Sequence, residues 1–343
     1  MKKQLLEKTI VQLFANGKGL VAMDESTGTC NKRFAAAGIP QTEEKRRDWR
    51  ELIATTPDLG ECISGAILYD ETIRQNKKDG TPIIKAIIDA DIIPGIKVDI
   101  GTKDMAVHPG EKITEGLDGL RERLNEYFRM GARFAKWRAV ITIGKDIPSF
   151  ACIESNANAL ARYAALCQEA GMVPIVEPEV LMEGTHNIGE CFDVTEEVLR
   201  IVFSQLYIQG IILEATILKP NMVTSGMKCK EQASVNEVAD ATIKCLLRSV
   251  PAAVAGIAFL SGGQSGEIAS AHLNAMHVKY GSRLPWPLTF SFARAIQQSA
   301  LQIWGGLEED KTAAQQSLLH RAKCSQAALL GEYNPSMEKK FIK

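Results

Sequence analysis

Charged and hydroxyl side chains stand at the ends of short apolar runs along this sequence. Seven runs end in, or close to, such residues: Asp24, Lys97, Lys136 with Arg138, Glu177 with Glu179, Lys219, Ser261 and Ser291. Burying a charge without a partner costs several kcal/mol, so this repetition indicates that the side chains meet one another. The pattern predicts one polar site with acids, bases and amines.

The spacing within two of these runs predicts which side chains share a face. Residues i and i+2 of a strand point the same way, so Lys136 lies beside Arg138 and Glu177 beside Glu179, while Trp137 points away from the cations. An internal salt-bridge network would contain the same residues, and that alternative stays open at this stage.

Lys219 is the candidate nucleophile. It ends the apolar run 211–218 and precedes Pro220. Burial and nearby cations lower the pKa of a lysine and so favour its nucleophilic neutral amine. Lys97 and Lys136 are candidates for those cations.

A glycine-rich turn follows the seventh apolar run. In Ser261-Gly262-Gly263 the glycines let backbone N–H groups approach a phosphate closely. Arg294 follows the eighth run at the start of a predicted helix, and loops after strands seven and eight of barrels often bind phosphate.

A second anion site is predicted after the first run. Ser26 and Thr29 follow Asp24 there, and Lys97 is placed to reach across. Two anion sites on opposite sides of Lys219 indicate a substrate with two phosphates.

The elements that must position these residues alternate along the chain. Eight apolar runs have the length and turn boundaries of buried parallel strands. Helical patterns separate them at 118–130, 155–170, 194–207, 231–249 and 293–304. This alternation predicts a (β/α)8 TIM barrel of the α/β class. A doubly wound open sheet is the alternative, but DESTGT, not G-x-G-x-x-G, follows the first run.

Size and composition are consistent with one globular unit. We expect residues 1–343 to form a single TIM-barrel domain, with a short N-terminal helix before strand 1 and a flexible tail from about residue 334. The net charge of −1, from 40 basic and 41 acidic residues, gives no reason to expect nucleic acid or a membrane as partner. The 8 cysteines form no C-x-x-C pair, which predicts reduced thiols in a cytoplasmic protein.

The histidines give no sign of a metal centre. His108, His186, His272, His277 and His320 show neither H-x-H nor H-E-x-x-H spacing, and surface or loop positions are expected for them. We therefore predict a reaction without metal or cofactor.

Nine ordered segments resemble class I fructose-bisphosphate aldolase, over roughly residues 20–333. They are MDESTGTCNKR (23–33), GIKVD (95–99), GLDGL (116–120), FAKWR (134–138), NANALARYA (156–164), VPIVEPE (173–179), LKPNMV (218–223), FLSGGQS (259–265) and LTFSFARA (288–295). The family fold is a (β/α)8 barrel, which agrees with the independent prediction.

The resemblance implies reversible cleavage of fructose 1,6-bisphosphate to dihydroxyacetone phosphate and glyceraldehyde 3-phosphate. It makes Lys219 the Schiff-base lysine and Glu177 the general acid/base, with Lys136 and Asp24 as the supporting pair. The remaining matched residues are Glu179 and Arg138 in the charged network, Ser261, Gly262, Gly263, Ser291, Arg294 and Arg33 at one phosphate, and Ser26, Thr29 and Lys97 at the other. It also implies a sugar bisphosphate as the small-molecule partner and a homo-oligomer, commonly a tetramer.

Three features depart from the family pattern. Thr29 replaces a serine, Phe292-Ala293 replaces Tyr-Gly before Arg294, and the tail ends in FIK without the terminal tyrosine of many members. Other Schiff-base barrels, such as transaldolase or deoxyribose-phosphate aldolase, remain alternatives, as does a catalytically silent scaffold protein. The second anion site disfavours the former, and the complete set of charged residues disfavours the latter.

Overall fold

Eight parallel strands close into a barrel. The structure, a computed structural model, describes residues 2–341, and only the backbone of residues 340 and 341. Its strands are β1 Gly19–Ala22, β2 Ile63–Leu68, β3 Ile93–Lys97, β4 Gly101–Asp104, β5 Lys112–Glu115, β6 Phe134–Ile141, β7 Val173–Val180, β8 Ile217–Leu218, β9 Gly256–Phe259 and β10 Leu288–Phe292. The barrel order is β1-β2-β3-β6-β7-β8-β9-β10, with β10 pairing back to β1. The predicted (β/α)8 barrel is confirmed.

Helices surround the barrel and follow its strands. They are α1 Lys2–Leu13, α2 Thr27–Ala36, α3 Glu43–Ala54, α4 Asp70–Arg74, α5 Ile83–Asp89, α6 Leu120–Met130, α7 Phe150–Ala170, α8 Ile188–Ile208, α9 Val235–Ser249, α10 Gly266–Tyr280, α11 Arg294–Trp304 and α12 Lys311–Leu329. Short 3-10 helices lie at Ala15–Gly17, Leu59–Glu61, Leu213–Ala215, Gly281–Arg283 and Pro335–Phe341.

Side-chain caps explain where several helices begin. Ser149 accepts the N–H of Cys152, which starts α7 five residues before the predicted 155. Asn187 forms a capping box with Glu190 and starts α8 at residue 188, ahead of the predicted 194. The apolar spacing identified both helices, but the local hydrogen bonds set their first residues.

One strand prediction was wrong, and one hairpin was missed. The apolar run 211–218 was interpreted as one strand, but only β8 at Ile217–Leu218 pairs, while Leu213–Ala215 forms a 3-10 turn. The antiparallel hairpin of β4 and β5 was not predicted. Its short strands have no alternating apolar pattern from which it could be recognised.

Aromatic rings and α1 fill the end of the barrel opposite the strand carboxyl ends. Leu6, Leu13 and Phe134 belong to one buried cluster that includes inward-facing residues of β1, β7 and β8. A Cβ atom at Gly95 would lie 2.2 Å from the Phe134 ring, so only glycine leaves room for it. This end is therefore apolar and closed, and polar chemistry is confined to the other end.

The cysteines form no disulfide bonds, as the sequence predicts. All eight cysteines are free, and Cys229 alone is not fully buried. No described helix is long and apolar enough to cross a membrane. The segment predicted to be a flexible tail contains the 3-10 helix Pro335–Phe341, in which Glu338 forms an ion pair with Arg321 of α12.

Candidate active site

One large cavity opens at the carboxyl ends of the barrel strands. Its volume is about 990 Å³, enough for a sugar bisphosphate. The sequence-predicted residues that line it are Asp24, Ser26, Thr29, Arg33, Lys97, Lys136, Arg138, Glu177, Glu179, Lys219, Ser261, Gly262, Ser291 and Arg294. These residues come from seven of the eight barrel segments, and Tyr69 and Asp70 line the cavity after the eighth, β2.

Four of these side chains form a buried chain of alternating charge. Nζ of Lys219 lies 3.1 Å from Oε1 of Glu177, and Nζ of Lys136 lies 3.1 Å from Oε2 of Glu177. Lys136 also lies 2.7 Å from Oδ2 of Asp24. The side chains of Lys136, Glu177 and Lys219 are each 4% exposed, so these three charged groups are nearly removed from water.

Neighbouring charges set the protonation states of Asp24, Glu177 and Lys136. Burial raises the pKa of Asp24, but Lys136 and Lys219 outweigh burial and hold that pKa well below its usual range. Burial also raises the pKa of Glu177, yet Lys136, Lys219 and Arg138 lower it overall. Burial lowers the pKa of Lys136, but Asp24 and Glu177 raise it by more, so the pKa lies above its usual range. In the ligand-free protein both carboxylates are ionised and Lys136 is an ammonium ion.

Oε2 of Glu177 is buried and forms an ion pair with Lys136 but has no partner in hydrogen-bonding geometry among the described residues. The Ser291 hydroxyl is also buried without a hydrogen-bond partner among residues 2–341, and it lines the same cavity. Buried polar atoms that the fold leaves unpaired point to bonds made with a ligand.

Two further ion pairs flank the centre. Nε of Arg138 donates to Oε2 of Glu179, which confirms that these i+2 residues point into the cavity from β6 and β7. Nζ of Lys97 lies 2.5 Å from Oδ1 of Asp99. Trp137 faces outward and packs on Tyr163 of α7, as the alternation predicts.

Asp99 and Glu25 line the cavity but were not among the residues predicted from the sequence. Asp99 binds Lys97 and accepts the backbone N–H of Arg138 at 3.2 Å, so it fixes β3 against β6. Glu25 is buried, and its carboxylate binds Arg33 and Arg50. The i+2 spacing of Asp99 from Lys97 was the available signal, whereas the partners of Glu25 are set only by α2 and α3.

Gly262 of the glycine-rich turn lies next to Arg294 in the cavity, whereas Gly263 does not line it. Nη2 of Arg294 donates to the carbonyl of Gly262, which has a left-handed φ of 56°. Gly263, predicted to bind phosphate, does not line the cavity, and its N–H donates to Sδ of Met182 at 3.3 Å. Arg294 forms no ion pair with any described carboxylate, so its charge is available to an anion.

The start of α2 faces the same cavity. Ser26 caps this helix by accepting the N–H of Thr29, and its hydroxyl donates to the Thr29 hydroxyl at 3.2 Å. Both side chains line the cavity with Lys97. Backbone N–H groups at a helix start and a lysine amine are suitable partners for a second phosphate.

The alanine at position 293 has a negative φ. Ala293 has φ −105° and ψ −88°, so no left-handed conformation is required where the family has glycine. Phe292 is buried and packs on Phe290 at 5.3 Å between ring centroids. Arg294, the first residue of α11, follows Phe292-Ala293 and lines the cavity.

Surface or loop positions were predicted for the histidines, and this was wrong for His272, whereas His186 lies in the loop between β7 and α8. His186 and His272 are both only 5% exposed. His272 lies on the inner face of α10, where its Nδ1 pairs with Oε1 of Gln264 at 2.6 Å. Burial lowers the pKa of His272 to about 4, so it is neutral. No described histidine lines the cavity.

A barrel that buries a lysine against a carboxylate at its strand ends defines a class of enzyme acting on carbonyl compounds through an amine. The family model for class I fructose-bisphosphate aldolase matches residues 5–343. The chain belongs to this family. Class I members cleave fructose 1,6-bisphosphate reversibly through a lysine Schiff base, so the chain is a lyase of glycolysis.

Individual relatives agree along nearly the whole chain. A probable fructose-bisphosphate aldolase class 1 of Xanthomonas campestris is 58% identical, with 97% of this chain and 99% of the relative covered. A cytosolic fructose-bisphosphate aldolase 6 of Arabidopsis thaliana is 50% identical over 92% of this chain and 88% of its own. The solved aldolase of Plasmodium falciparum, in a complex with TRAP and an inhibitor, superposes with a TM-score of 0.95 at 44% identity and covers 97% of this chain and 96% of its own.

Proposed function

We propose that Lys219 is the residue that attacks the C2 carbonyl of fructose 1,6-bisphosphate. The observation that supports this assignment is its burial at the floor of the cavity, 3.1 Å from Glu177. Attack by the neutral amine gives a carbinolamine, and loss of water then gives an iminium ion. The experiment is reductive trapping: borohydride added with dihydroxyacetone phosphate should leave a stable adduct, and peptide mapping must place it on Lys219.

Glu177 moves the protons of these steps. As a carboxylate it takes the proton that Lys219 must lose before attack, and it returns that proton to the departing hydroxyl of the carbinolamine. Its proton affinity follows the state of Lys219, because the ammonium of Lys219 helps to lower the pKa of Glu177. When the nitrogen becomes neutral, this influence disappears and Glu177 holds a proton more readily.

The iminium nitrogen then accepts the electrons of the C3–C4 bond. A base removes the C4 hydroxyl proton, C3–C4 breaks, the aldehyde leaves, and an enamine remains on Lys219. Of the two candidate bases, Glu177 is favoured over Asp24. Asp24 is bound to Lys136 at 2.7 Å and its pKa is well below its usual range, which makes it a weak base.

Lys136 acts as a fixed ammonium ion between the two carboxylates. Its contacts with Asp24 and Glu177 keep it protonated at neutral pH. It therefore holds Glu177 in place and stabilises negative charge on substrate oxygens. We assign Arg138 and Glu179 a positioning role, because they pair with each other at the side of this centre.

The two phosphates of the substrate occupy opposite sides of the cavity. Ser261, Gly262, Ser291 and Arg294 bind one, to which the family resemblance adds Arg33, and Ser26, Thr29 and Lys97 bind the other. Lys97 exchanges part of its bond with Asp99 for the phosphate oxygens when substrate enters.

Removal of Arg294 tests the first phosphate site. We expect Arg294→Ala to raise KM for fructose 1,6-bisphosphate by about 10- to 150-fold, since a charge-assisted hydrogen bond of roughly 1.5–3 kcal/mol is lost. Steady-state cleavage kinetics measure this change. Arg200→Ala is the control, because Arg200 pairs with Glu196 on the helix surface. An unchanged KM in Arg294→Ala would remove Arg294 from the site.

Chelation tests the predicted independence from metals. The protonated imine serves as the electron sink, so no Lewis acid is needed for C3–C4 cleavage. We expect treatment with EDTA to leave kcat and KM nearly unchanged. A loss of activity that returns when zinc is added back would show that a metal takes part.

We also propose that the chain works in the cytoplasm as a homo-oligomer, with the tetramer of its family as the first expectation. Two similar plant proteins are named as cytosolic or cytoplasmic isozymes. Tyr207 and Ile208, at the end of α8, are 83% and 66% exposed and offer an apolar patch for subunit contact. Light scattering on the purified chain measures the subunit number.

A further inference from the structure

Three metal-binding side chains meet outside the substrate cavity. His320 and Cys324 lie one turn apart on α12, and Glu338 approaches them from the segment that follows. Nε2 of His320 lies 3.6 Å from Sγ of Cys324 and 3.9 Å from Oε2 of Glu338. The donor atoms all lie within 4.8 Å of one another. We propose that His320, Cys324 and Glu338 form a zinc site.

The distances suit a tetrahedral zinc ion. Bonds of about 2.3 Å to sulfur and about 2.0–2.1 Å to nitrogen, at a tetrahedral angle, place the two ligand atoms about 3.6 Å apart. The observed separation of Nε2 and Sγ is 3.6 Å. A nitrogen and a carboxylate oxygen would lie about 3.3 Å apart on the same ion, which is about 0.6 Å less than the observed 3.9 Å between Nε2 of His320 and Oε2 of Glu338.

The two carboxylate oxygens of Glu338 have different surroundings. Oε1 accepts hydrogen bonds from Nη1 of Arg321 and, at 2.9 Å, from the Tyr333 hydroxyl. Oε2 faces His320. These contacts orient the carboxylate and leave Oε2 directed at the proposed ion, as the partners of metal-bound carboxylates commonly do.

The ligand set favours zinc over harder cations. A thiolate, an imidazole and one carboxylate are typical of zinc, whereas magnesium and calcium prefer oxygen ligands. The Cys324 thiol must lose its proton to solvent when the ion binds, because a thiolate is the ligand.

Solvent reaches the site, and a fourth ligand position stays open. The side chains of His320 and Glu338 are 20% and 18% exposed. A bound ion would tie the segment after Tyr333 to α12. Arg321, on the same helix, contacts Ser270 of α10 and the carbonyl of Ala295 in α11. The site would therefore clamp the last described segment beside the starts of the two helices that follow β9 and β10.

Metal titration of the full chain, first freed of metal by dialysis against a chelator, tests the proposal. We expect one Zn²⁺ per chain, and Co²⁺ in its place should give a thiolate-to-metal charge-transfer band with the intense visible bands of tetrahedral cobalt. Cys324→Ser should abolish the charge-transfer band. His320→Gln and Glu338→Gln should each weaken the apparent Kd by more than about 100-fold, because losses in the outer shell alone cost 10- to 100-fold.

Matched variants separate this site from other residues of the same types. Cys229→Ser, His108→Gln and Glu332→Gln change more accessible residues outside the cluster and should leave binding unchanged. All six variants should keep wild-type aldolase activity, which shows that they fold. Absence of stoichiometric binding, binding without a thiolate band, or a band that survives in Cys324→Ser would overturn the proposal and leave Glu338 as an ion-pair anchor only.

Discussion

Replacing Lys219 by methionine is expected to abolish cleavage of fructose 1,6-bisphosphate. The change removes the amine that forms the Schiff base but keeps a side chain of similar length. We expect kcat to fall on the order of 10⁴-fold or more, the scale seen when the nucleophile of an enzyme is removed. Borohydride with dihydroxyacetone phosphate should leave this variant unlabelled, and mass spectrometry of the intact chain measures the label.

The fold should survive this substitution. Glu177 loses one cationic neighbour, but Lys136 remains 3.1 Å from its other oxygen, so the buried carboxylate is still compensated. Circular dichroism and a melting curve verify that the loss of activity is not unfolding.

The control is a second lysine of the same cavity. Lys32 lines the cavity from α2, is exposed, and forms no ion pair with a described carboxylate. Lys32→Met should still form the borohydride adduct on Lys219. An adduct found on Lys97 or Lys136 in the wild-type chain would show that Lys219 is not the nucleophile.

Replacing Glu177 by glutamine is expected to have the second largest effect. Glutamine keeps the shape of the side chain but cannot take the proton of Lys219 or of the C4 hydroxyl. Proton transfer by a positioned side chain contributes about 10²–10⁴-fold, so we expect kcat to fall by that factor. Dehydration of the carbinolamine should also slow, and rapid-quench borohydride trapping measures it as a delayed appearance of the adduct.

Glu179→Gln is the matched control for this result. Glu179 has the same chemistry, lies two residues further on the same face of β7, and pairs with Arg138 rather than with Lys219. The pair is partly open to solvent, since the Arg138 side chain is 39% exposed. We expect kcat to fall by no more than roughly tenfold, or about 1.4 kcal/mol. Equal losses in both variants would mean that the network as a whole, and not Glu177, carries the protons.

The pH dependence of the wild type adds an independent measurement. The folded protein lowers the pKa of Glu177, so the carboxylate persists to lower pH than that of an exposed glutamate. Loss of this base as pH falls should therefore appear in kcat/KM only below the usual range of glutamate. An acidic limb near neutral pH would indicate that another group is the base.

Much of the fold could be predicted because its strands are buried on both sides. A strand that is covered by helices on the outside and by side chains on the inside has a continuous apolar sequence. The eight apolar runs matched the eight barrel strands. The prediction failed where pairing rather than composition decides. The run 211–218 is mostly apolar, yet only residues 217 and 218 have neighbours in register.

The cavity-lining residues could be predicted because a charge at the end of an apolar strand has few explanations. The i+2 rule alone placed Arg138 beside Lys136 and Glu179 beside Glu177, and the structure agrees. The spacing of the residues in the sequence did not predict which charged groups contact one another. The sequence suggested that Lys97 and Lys136 surround Lys219, but Lys97 is bound to Asp99, and the nearest charged partner of Lys219 is Glu177.

The sequence by itself determined the barrel, the set of charged residues and the family, since these depend on local periodicity and on residue types in order. Only the tertiary structure decided that Gly263 turns to Met182, that His272 is buried, and that His320 and Cys324 meet Glu338. Each of these depends on contacts between elements distant along the chain, and such contacts follow from packing and barrel closure rather than from the spacing of neighbouring residues.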